Sequence, residues 1–287
     1  MKDKTGLQYG LCDVPITEYH ADKRFHTASM YKRFNKSPAL MNCKSEPTST
    51  AFSVGTITHA LALDDAKQLK RIHAYDGVRR GKAYQDWKLS LPDDAIECTQ
   101  ADWDTAFKSA DALSRDETIG ALLREDGLIE STICWFDEWD SDGHAVKQDC
   151  KMRPDFLIPS KRIIVDIKTT ATFSERDLLR SIVKYGYHIQ LAHYTTGAAF
   201  HFDVPLHHVK FVFAFVETKE PWRTAAIMLD DTSIEESLDV RCDIQQAYLK
   251  AREQCCLCQS GRFMTEKKAL LIILLFWFIG FILAGGI

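Results

Sequence analysis

Apolar and polar positions fall first into a helical rhythm. Residues 27–36 predict a helix, Ser37-Pro38 restarts the chain into a second short one, and Glu46-Pro47 ends it. Residues 51–64, AFSVGTITHALALD, predict a helix with Gly55, His59 and Leu63 on one side, where Gly55 would let another backbone approach. Residues 65–100 are mixed. Across 101–125, Trp103, Phe107, Ala110, Leu113, Leu122 and Leu123 recur near helical spacing and predict one amphipathic helix.

The period then changes. Residues 131–135 are rich in β-formers, Asp140-Ser141-Asp142-Gly143 is a turn signal, and residues 145–158 alternate. A second turn at Pro159-Ser160-Lys161 leads into the mostly apolar RIIVDIKT of 162–169, so a three-stranded meander is expected. Helices over 175–185 and 187–200, strands over 209–216 and 223–229, and a long polar-faced helix over 232–254 complete the pattern. The class is α/β, a central mixed sheet flanked by helices.

A final stretch breaks this pattern. Residues 269–287, ALLIILLFWFIGFILAGGI, run 19 positions without a charge, behind Lys267 and Lys268. That length of apolar helix spans a bilayer, and lysines on its N-terminal side hold the preceding domain on the cytoplasmic face. The expected organisation is a domain over 1–263 and an apolar C-terminal tail helix within 264–287, with 269–287 touching or crossing a membrane.

Composition narrows the class. With 46% hydrophobic and 26% charged residues the 287-residue chain is globular. Lys+Arg 36 against Asp+Glu 40 gives −4, which excludes attachment to nucleic acid by bulk positive charge but leaves room for a local basic groove. Nine scattered cysteines and a polar first ten residues point to a reducing cytosol. Cys255-Cys256-x-Cys258 is spaced too tightly for the usual four-cysteine cluster, and its role stays open.

The candidate chemistry lies in Arg153-Pro154-Asp155, ten residues, then Asp166-Ile167-Lys168. The turn at 159–161 folds one strand back on the next, so Asp155 can come beside Asp166. Asp166 and Lys168, two apart on a strand, share a face, while Ile163, Val165 and Ile167 share the opposite one. Two carboxylates suit Mg²⁺ or Mn²⁺, and a lysine beside them can orient a water. A surface salt bridge is the ordinary alternative, but charges at the end of so apolar a strand are costly without a partner. His59 alone would be a packed core histidine, and Glu130 alone a solvated carboxylate. Gln190 and Tyr194, at i and i+4 on one helix, would be ordinary helix surface.

Taken together these residues resemble the RecB-type branch of the PD-(D/E)xK nucleases, and most closely the catalytic domains of the exodeoxyribonuclease VIII (RecE) family. The strings that carry the resemblance are Ser29-Met30-x-x-x-Phe34 with Ser37-Pro38-Ala39, Gly55-Thr56-x-x-His59-Ala60-Leu61, Cys150-Lys151-x-Arg153-Pro154-Asp155, Val165-Asp166-Ile167-Lys168-Thr169-Thr170 and Tyr185-Gly186-Tyr187-His188-x-Gln190. The resemblance covers about residues 25–255; Asp166 stands where many members of the superfamily have Glu, and the tail has no counterpart.

The resemblance implies a restriction-endonuclease-like core and a Mg²⁺-dependent 5′ to 3′ exonuclease on double-stranded DNA ends. It also implies a ring-shaped homo-oligomer, with the 3′ strand passed to an annealing protein of the RecT type. On this chain, Asp155, Asp166, the Ile167 carbonyl, His59 and Glu130 would bind metal, and Lys168 would orient water and stabilise charge on the phosphate. Gln190 and Tyr194 would touch DNA or buttress Lys168. Lys32, Arg33, Arg79, Arg80 and Lys82 could meet phosphates, with a solvated face as the ordinary reading of each. Two other functions stay open: a RecB-type nuclease of repair or defence, and a non-enzymatic membrane-associated protein that retains the fold.

Overall fold

The computed structural model describes residues 7–41, 50–141 and 144–259. The N-terminal part runs β1 (Gly10–Cys12), α1 (Ile16–Ala21), α2 (Ala28–Lys36), a 3₁₀ turn at Pro38–Leu40, and α3 (Thr50–Ala62). It continues with α4 (Ala66–Leu69), β2 (Ile72–Tyr75), α5 (Lys82–Leu89), β3 (Ile96–Thr99), α6 (Gln100–Arg115) and α7 (Glu117–Leu123). Then come β4 (Leu128–Ile129), β5 (Thr132–Ser141), β6 (His144–Met152), β7 (Phe156–Ile158) and β8 (Ile163–Thr170). The chain goes on through α8 (Glu175–Lys184), α9 (Tyr187–Phe202), β9 (Lys210–Glu217), β10 (Thr224–Ile227) and α10 (Asp231–Gln259). One compact unit ends at Cys242; the described part of a second consists of the continuing turns of α10.

The central five-stranded sheet has the order β10-β9-β8-β7-β4. β8 and β9 are parallel, joined by a crossover through α8 and α9, and the other neighbours are antiparallel. Period-2 alternation on β8 sends Ile164 to the α8/α9 side, with Leu178, Ile182, Leu191, Phe213 and Phe215. Val165 and Ile167 go to the other side, with Leu63, Leu113, Ile119, Ala214 and Val216. Both faces of β8 are therefore covered, and Asp166 is fully buried. α9 is sunk against β5 so closely that a Cβ at Gly197 would come within 2.6 Å of the Trp135 ring, so only glycine fits.

Several sequence expectations are corrected here. The meander is not one sheet: β5 pairs with β6 on one edge and with β1 on the other, in a separate three-stranded sheet of order β1-β5-β6. The alternating run over 145–158 divides at Arg153-Pro154-Asp155, because Pro154 offers no N–H to a ladder, and the chain changes sheets there. The helix expected over 101–125 is two, because Asp116 turns extended and caps α7 by accepting from the Thr118 and Ile119 N–H groups at 3.0 and 2.8 Å. The mixed stretch before α6 holds a parallel pair, β2 and β3, too short for periodicity to reveal. Gly55 does not serve a backbone approach: a Cβ there would meet only the Thr169 hydroxyl, at an ordinary 3.4 Å.

No described helix is long and apolar enough to cross a membrane. The expected tail over 264–287, the turn at 142–143, the Glu46-Pro47 stop and the side chains of Cys255, Cys256 and Cys258 lie outside the described residues.

Candidate active site

The site is built where β7 stops and β8 continues. The register that sets Phe156 opposite Val165 would bring Pro154 opposite Ile167, and Pro154 has no N–H to exchange. The Ile167 N–H turns instead to the Asp155 side chain, donating to Oδ2 at 2.8 Å. A residue's N–H and C=O leave an antiparallel strand on the same side, so the Ile167 carbonyl faces this same edge. Asp155 Oδ1 lies 3.4 Å from His59 Nδ1, contributed by α3.

One position along the strand, Asp166 Oδ1 accepts a 2.7 Å hydrogen bond from Gln190 Nε2 on α9. The Lys168 ammonium pairs with the other oxygen, Oδ2. Gln190 Oε1 in turn accepts from Lys32 Nζ on α2 at 2.6 Å. The ring of Tyr187 serves both lysines, with Lys168 Nζ 4.9 Å and Lys32 Nζ 5.1 Å from its centroid. A cleft of about 370 Å³ opens over this group, lined by His59, Lys168, Tyr187, Gly55, Thr56 and the 167–169 stretch of β8. α9 can begin at this point because Gly186 takes φ +64, a conformation glycine adopts freely.

The charges are strongly coupled. Burial pushes Asp155 up, but His59 and Lys168, with the Ile167 N–H, outweigh it and hold the carboxyl at about 2. Burial pulls His59 down, and the Asp155 carboxylate more than reverses it, so the imidazole titrates above its ordinary value. Asp166 is raised, by burial and by the neighbouring Asp155 carboxylate, against the pull of Lys168. Lys168 is raised because the two carboxylates exceed the cost of burial. Lys32 is pushed down to about 7, by burial and then by repulsion from Lys168.

Among the sequence-predicted residues, the structure gathers His59, Asp155, Asp166, Ile167, Lys168, Gln190 and Lys32. It does not bring in the Glu130 side chain. That residue has φ +43, donates its backbone N–H to the Asp155 carbonyl at 3.1 Å, and sends its carboxylate toward Gln68 (3.3 Å) and Arg153 (3.8 Å). There it lines a separate cleft of about 750 Å³ with Gln68, Arg71 and Arg153. Tyr194 is buried, and its hydroxyl donates to the Arg153 carbonyl at 3.1 Å, which braces the 153–155 turn. Gln190 buttresses Asp166 rather than Lys168.

Of the expected phosphate contacts, Arg33 is spent on the Met41 carbonyl at 3.2 and 3.1 Å. Arg79, Arg80 and Lys82 are exposed around the start of α5, with Arg79 3.7 Å from Asp102. Tyr187 and Arg153 carry no role in the sequence reading. The signal was present in the quoted strings, since Arg153 stands two residues from Asp155 and Tyr187 three from Gln190.

The donor set can be tested for a metal. Among the described residues no group of three or more His, Cys, Asp or Glu side chains is gathered as a full cage, so the four-side-chain set with His59 and Glu130 is not assembled. Two carboxylates and a carbonyl on one edge nevertheless match the way Mg²⁺ is held, by one or two carboxylates with waters and substrate phosphate filling the rest. Asp155, Asp166 and the Ile167 carbonyl are the residues that fit it.

Residues 27–259 match the family described as a PDDEXK-like domain of unknown function (DUF3799), and the chain belongs to that family. A candidate exonuclease from Eubacterium rectale has a similar structure, with 18% identity, TM-score 0.56, and coverage of 88% of this chain and 95% of that one. A phage-related exonuclease from Haemophilus somnus 129PT aligns over 79% of this chain and 94% of its own, at 12% identity and TM-score 0.30, too distant to bear on the fold. No curated protein matches the chain. The fold is thus the PDDEXK-like one.

Proposed function

We propose that this protein is a metal-dependent nuclease that hydrolyses phosphodiester bonds at the ends of double-stranded DNA. The observation that carries the reading is the convergence of Asp155 and Asp166 with Lys168 at the open end of β7, beneath a cleft. Membership in a PDDEXK-like family supports it. A Mg²⁺ or Mn²⁺ ion bound by Asp155, Asp166 and the Ile167 carbonyl would supply a Lewis acid for the phosphate and lower the pKa of a bound water. The chain's own residues do the rest. Asp155 is kept ionised, with one oxygen fixed by the Ile167 N–H. Lys168 stays cationic and is directed at the cleft by Asp166 and Tyr187, where it can orient water and offset charge developing on the phosphate. His59 sets the orientation of Asp155.

The finer reading is a 5′ to 3′ exonuclease that leaves a 3′ strand for recombination by an annealing protein of the RecT type, working as a ring-shaped oligomer. This rests on the motif resemblance to the exodeoxyribonuclease VIII family. A cytoplasmic location with membrane contact through 269–287 rests on the sequence of the tail. The test is digestion of linear duplex DNA by the full chain with and without Mg²⁺, using ends labelled on the 5′ or 3′ strand and Asp166→Ala as control. Release from the 5′ label first, lost in the variant and without Mg²⁺, is expected. Equal digestion by Asp166→Ala would refute the site, and release from the 3′ label first would refute the polarity.

A further inference from the structure

Lys32 was expected on phosphate, yet in the folded chain its ammonium is turned inward. Nζ donates to Gln190 Oε1 at 2.6 Å, and the opposite end of that amide, Nε2, donates to Asp166 Oδ1 at 2.7 Å. A primary amide accepts at one end and donates at the other, and its two orientations are nearly isosteric. What sets the orientation is the partner. Nζ is the donor in this contact, and while it carries its full complement of protons it has donors only, so it receives the amide oxygen, which leaves the NH₂ for Asp166; an ionised carboxylate accepts only, and that is the end it needs. Without Lys32, nothing among these contacts prevents the amide from turning, and oxygen would then face oxygen at a buried carboxylate.

The lysine is also held in place. Its Nζ sits 5.1 Å from the Tyr187 ring centroid, and its stem lies so near the first turn of α9 that a Cβ at Gly186 would come within 3.0 Å of its Cγ.

We propose that Lys32 is a positioning residue for Asp166, acting through the Gln190 amide, whose orientation it fixes. The inference deepens the nuclease reading and rests on it, since it takes Asp166 as a metal-binding carboxylate. By occupying Oδ1 with the Gln190 N–H, the relay sets the plane of the carboxylate and leaves Oδ2 toward Lys168. A side chain on α2, more than 130 positions away in sequence, thereby sets the geometry of the β8 acid.

The test measures Mn²⁺ binding to the full-length chain without DNA, by electron paramagnetic resonance, beside kcat and KM on linear duplex DNA. Lys32→Met is expected to weaken Mn²⁺ binding and lower kcat by about 10–100-fold, the usual cost of losing a group that orients a metal ligand. KM should stay within about 2-fold, since on this proposal Lys32 makes no substrate contact. Lys32→Arg should restore both quantities, because a guanidinium is likewise donor-only. Lys32→Glu should be worse than Lys32→Met, because an acceptor at that position favours the wrong amide orientation.

Gln190→Met should match Lys32→Met, and the double variant should be no worse than Gln190→Met alone, since one relay can be broken only once. A raised KM with unchanged Mn²⁺ binding in Lys32→Met would make Lys32 a phosphate contact and overturn the proposal. So would additive losses in the double variant, or failure of Lys32→Arg to rescue. A wild-type chain that binds no Mn²⁺ removes the premise and refutes the inference with it. A chain that binds Mn²⁺ but digests no DNA refutes the nuclease reading, while the Mn²⁺ series still decides the role of Lys32.

Discussion

Two buried ionic clusters in this protein use the same kinds of residue to opposite ends. One surrounds Asp166 under the cleft. The other lies behind α9, where Arg241 from α10 pairs with Asp137 on β5, and its Nε lies 3.4 Å from His193 Nδ1. Around that pair, Trp135 Nε1 donates to Asp137 Oδ1 at 3.0 Å, the Cys150 thiol to Oδ2 at 3.3 Å, and His193 Nε2 meets the Lys151 carbonyl at 3.0 Å. Arg241 and His193 are both buried, and neither lines either of the clefts described above. Here the polar groups answer one another and the neighbouring side chains are aromatic. At Asp166, by contrast, carboxylates, lysines and an imidazole are packed at the edge of a cavity, with mutual repulsion between Asp155 and Asp166 and between Lys32 and Lys168. Buried charge is expensive in both places. Closed on itself it locks elements together; left facing a cleft with like charges opposed, it is arranged for a ligand.

The comparison breaks first at the cleft. Asp155→Asn or Asp166→Asn should lower digestion of duplex DNA by about 10³-fold or more, in the range of losing a group that stabilises transition-state charge. Thermal stability should hold or rise in Asp166→Asn, whose carboxyl is raised by burial and by the neighbouring Asp155, and fall in Asp155→Asn, whose carboxylate His59, Lys168 and the Ile167 N–H stabilise. Activity assays paired with melting curves check this, and full activity in either variant would remove the site. The sealed cluster should respond the other way. Arg241→Met removes the cation beside the half-buried Asp137, which keeps the Trp135 and Cys150 donors, and should cost about 2–4 kcal/mol in urea unfolding. Turnover per folded molecule should be unchanged, and a stability loss under about 1 kcal/mol would contradict a locking role.

How much of this was legible in the sequence differs between the same two regions. Asp155, Asp166 and Lys168 could be read because a strand has period 2 and a short turn folds it back, so local rules put three groups on one edge. His59, Gln190 and Ile167 followed once the motif order was seen. The Lys32 link could not be read that way, since α2 and α9 meet only through tertiary packing and no spacing records it. Glu130 was misplaced for a local reason: its left-handed backbone turns the side chain away from the acid to which its own N–H is bonded. The change of sheet at Pro154 had a visible cause, the missing N–H, but an alternating run hides where a strand stops. The Arg241 cluster was invisible, because it joins β5, β6, α9 and α10 across more than 100 positions.

A finer distinction inside the cleft concerns Lys168. Lys168→Ala should reduce kcat by about 10²-fold, near 2.7 kcal/mol, with affinity for duplex DNA largely kept, since its role is in the transition state rather than in ground-state binding. Single-turnover rates and a binding titration in Ca²⁺ separate the two. Equal losses in both would make the residue a plain phosphate contact.

The smallest effect sharpens the sealed cluster. His193 is fully buried, with Nε2 placed to donate to the Lys151 carbonyl and Nδ1 placed to accept from Arg241, so the neutral ring satisfies both neighbours. Burial, and then the Arg241 charge, pull its pKa down to about 3. The unfolded chain takes up that proton near pH 6.5, the folded chain only near 3, so between these values the unfolded state holds more protons. Stability carried by the neutral ring is therefore complete above about pH 6.5 and declines as pH falls, by up to about 1.4 kcal/mol per pH unit. Urea unfolding from pH 7 down to pH 4.5 measures the slope, and His193→Gln removes the titrating ring. The variant should be less stable at pH 7, and its stability should fall less steeply on acidification by about that amount per unit. An identical slope in both proteins would show that His193 is already protonated in the folded state, which the donor at Nδ1 forbids.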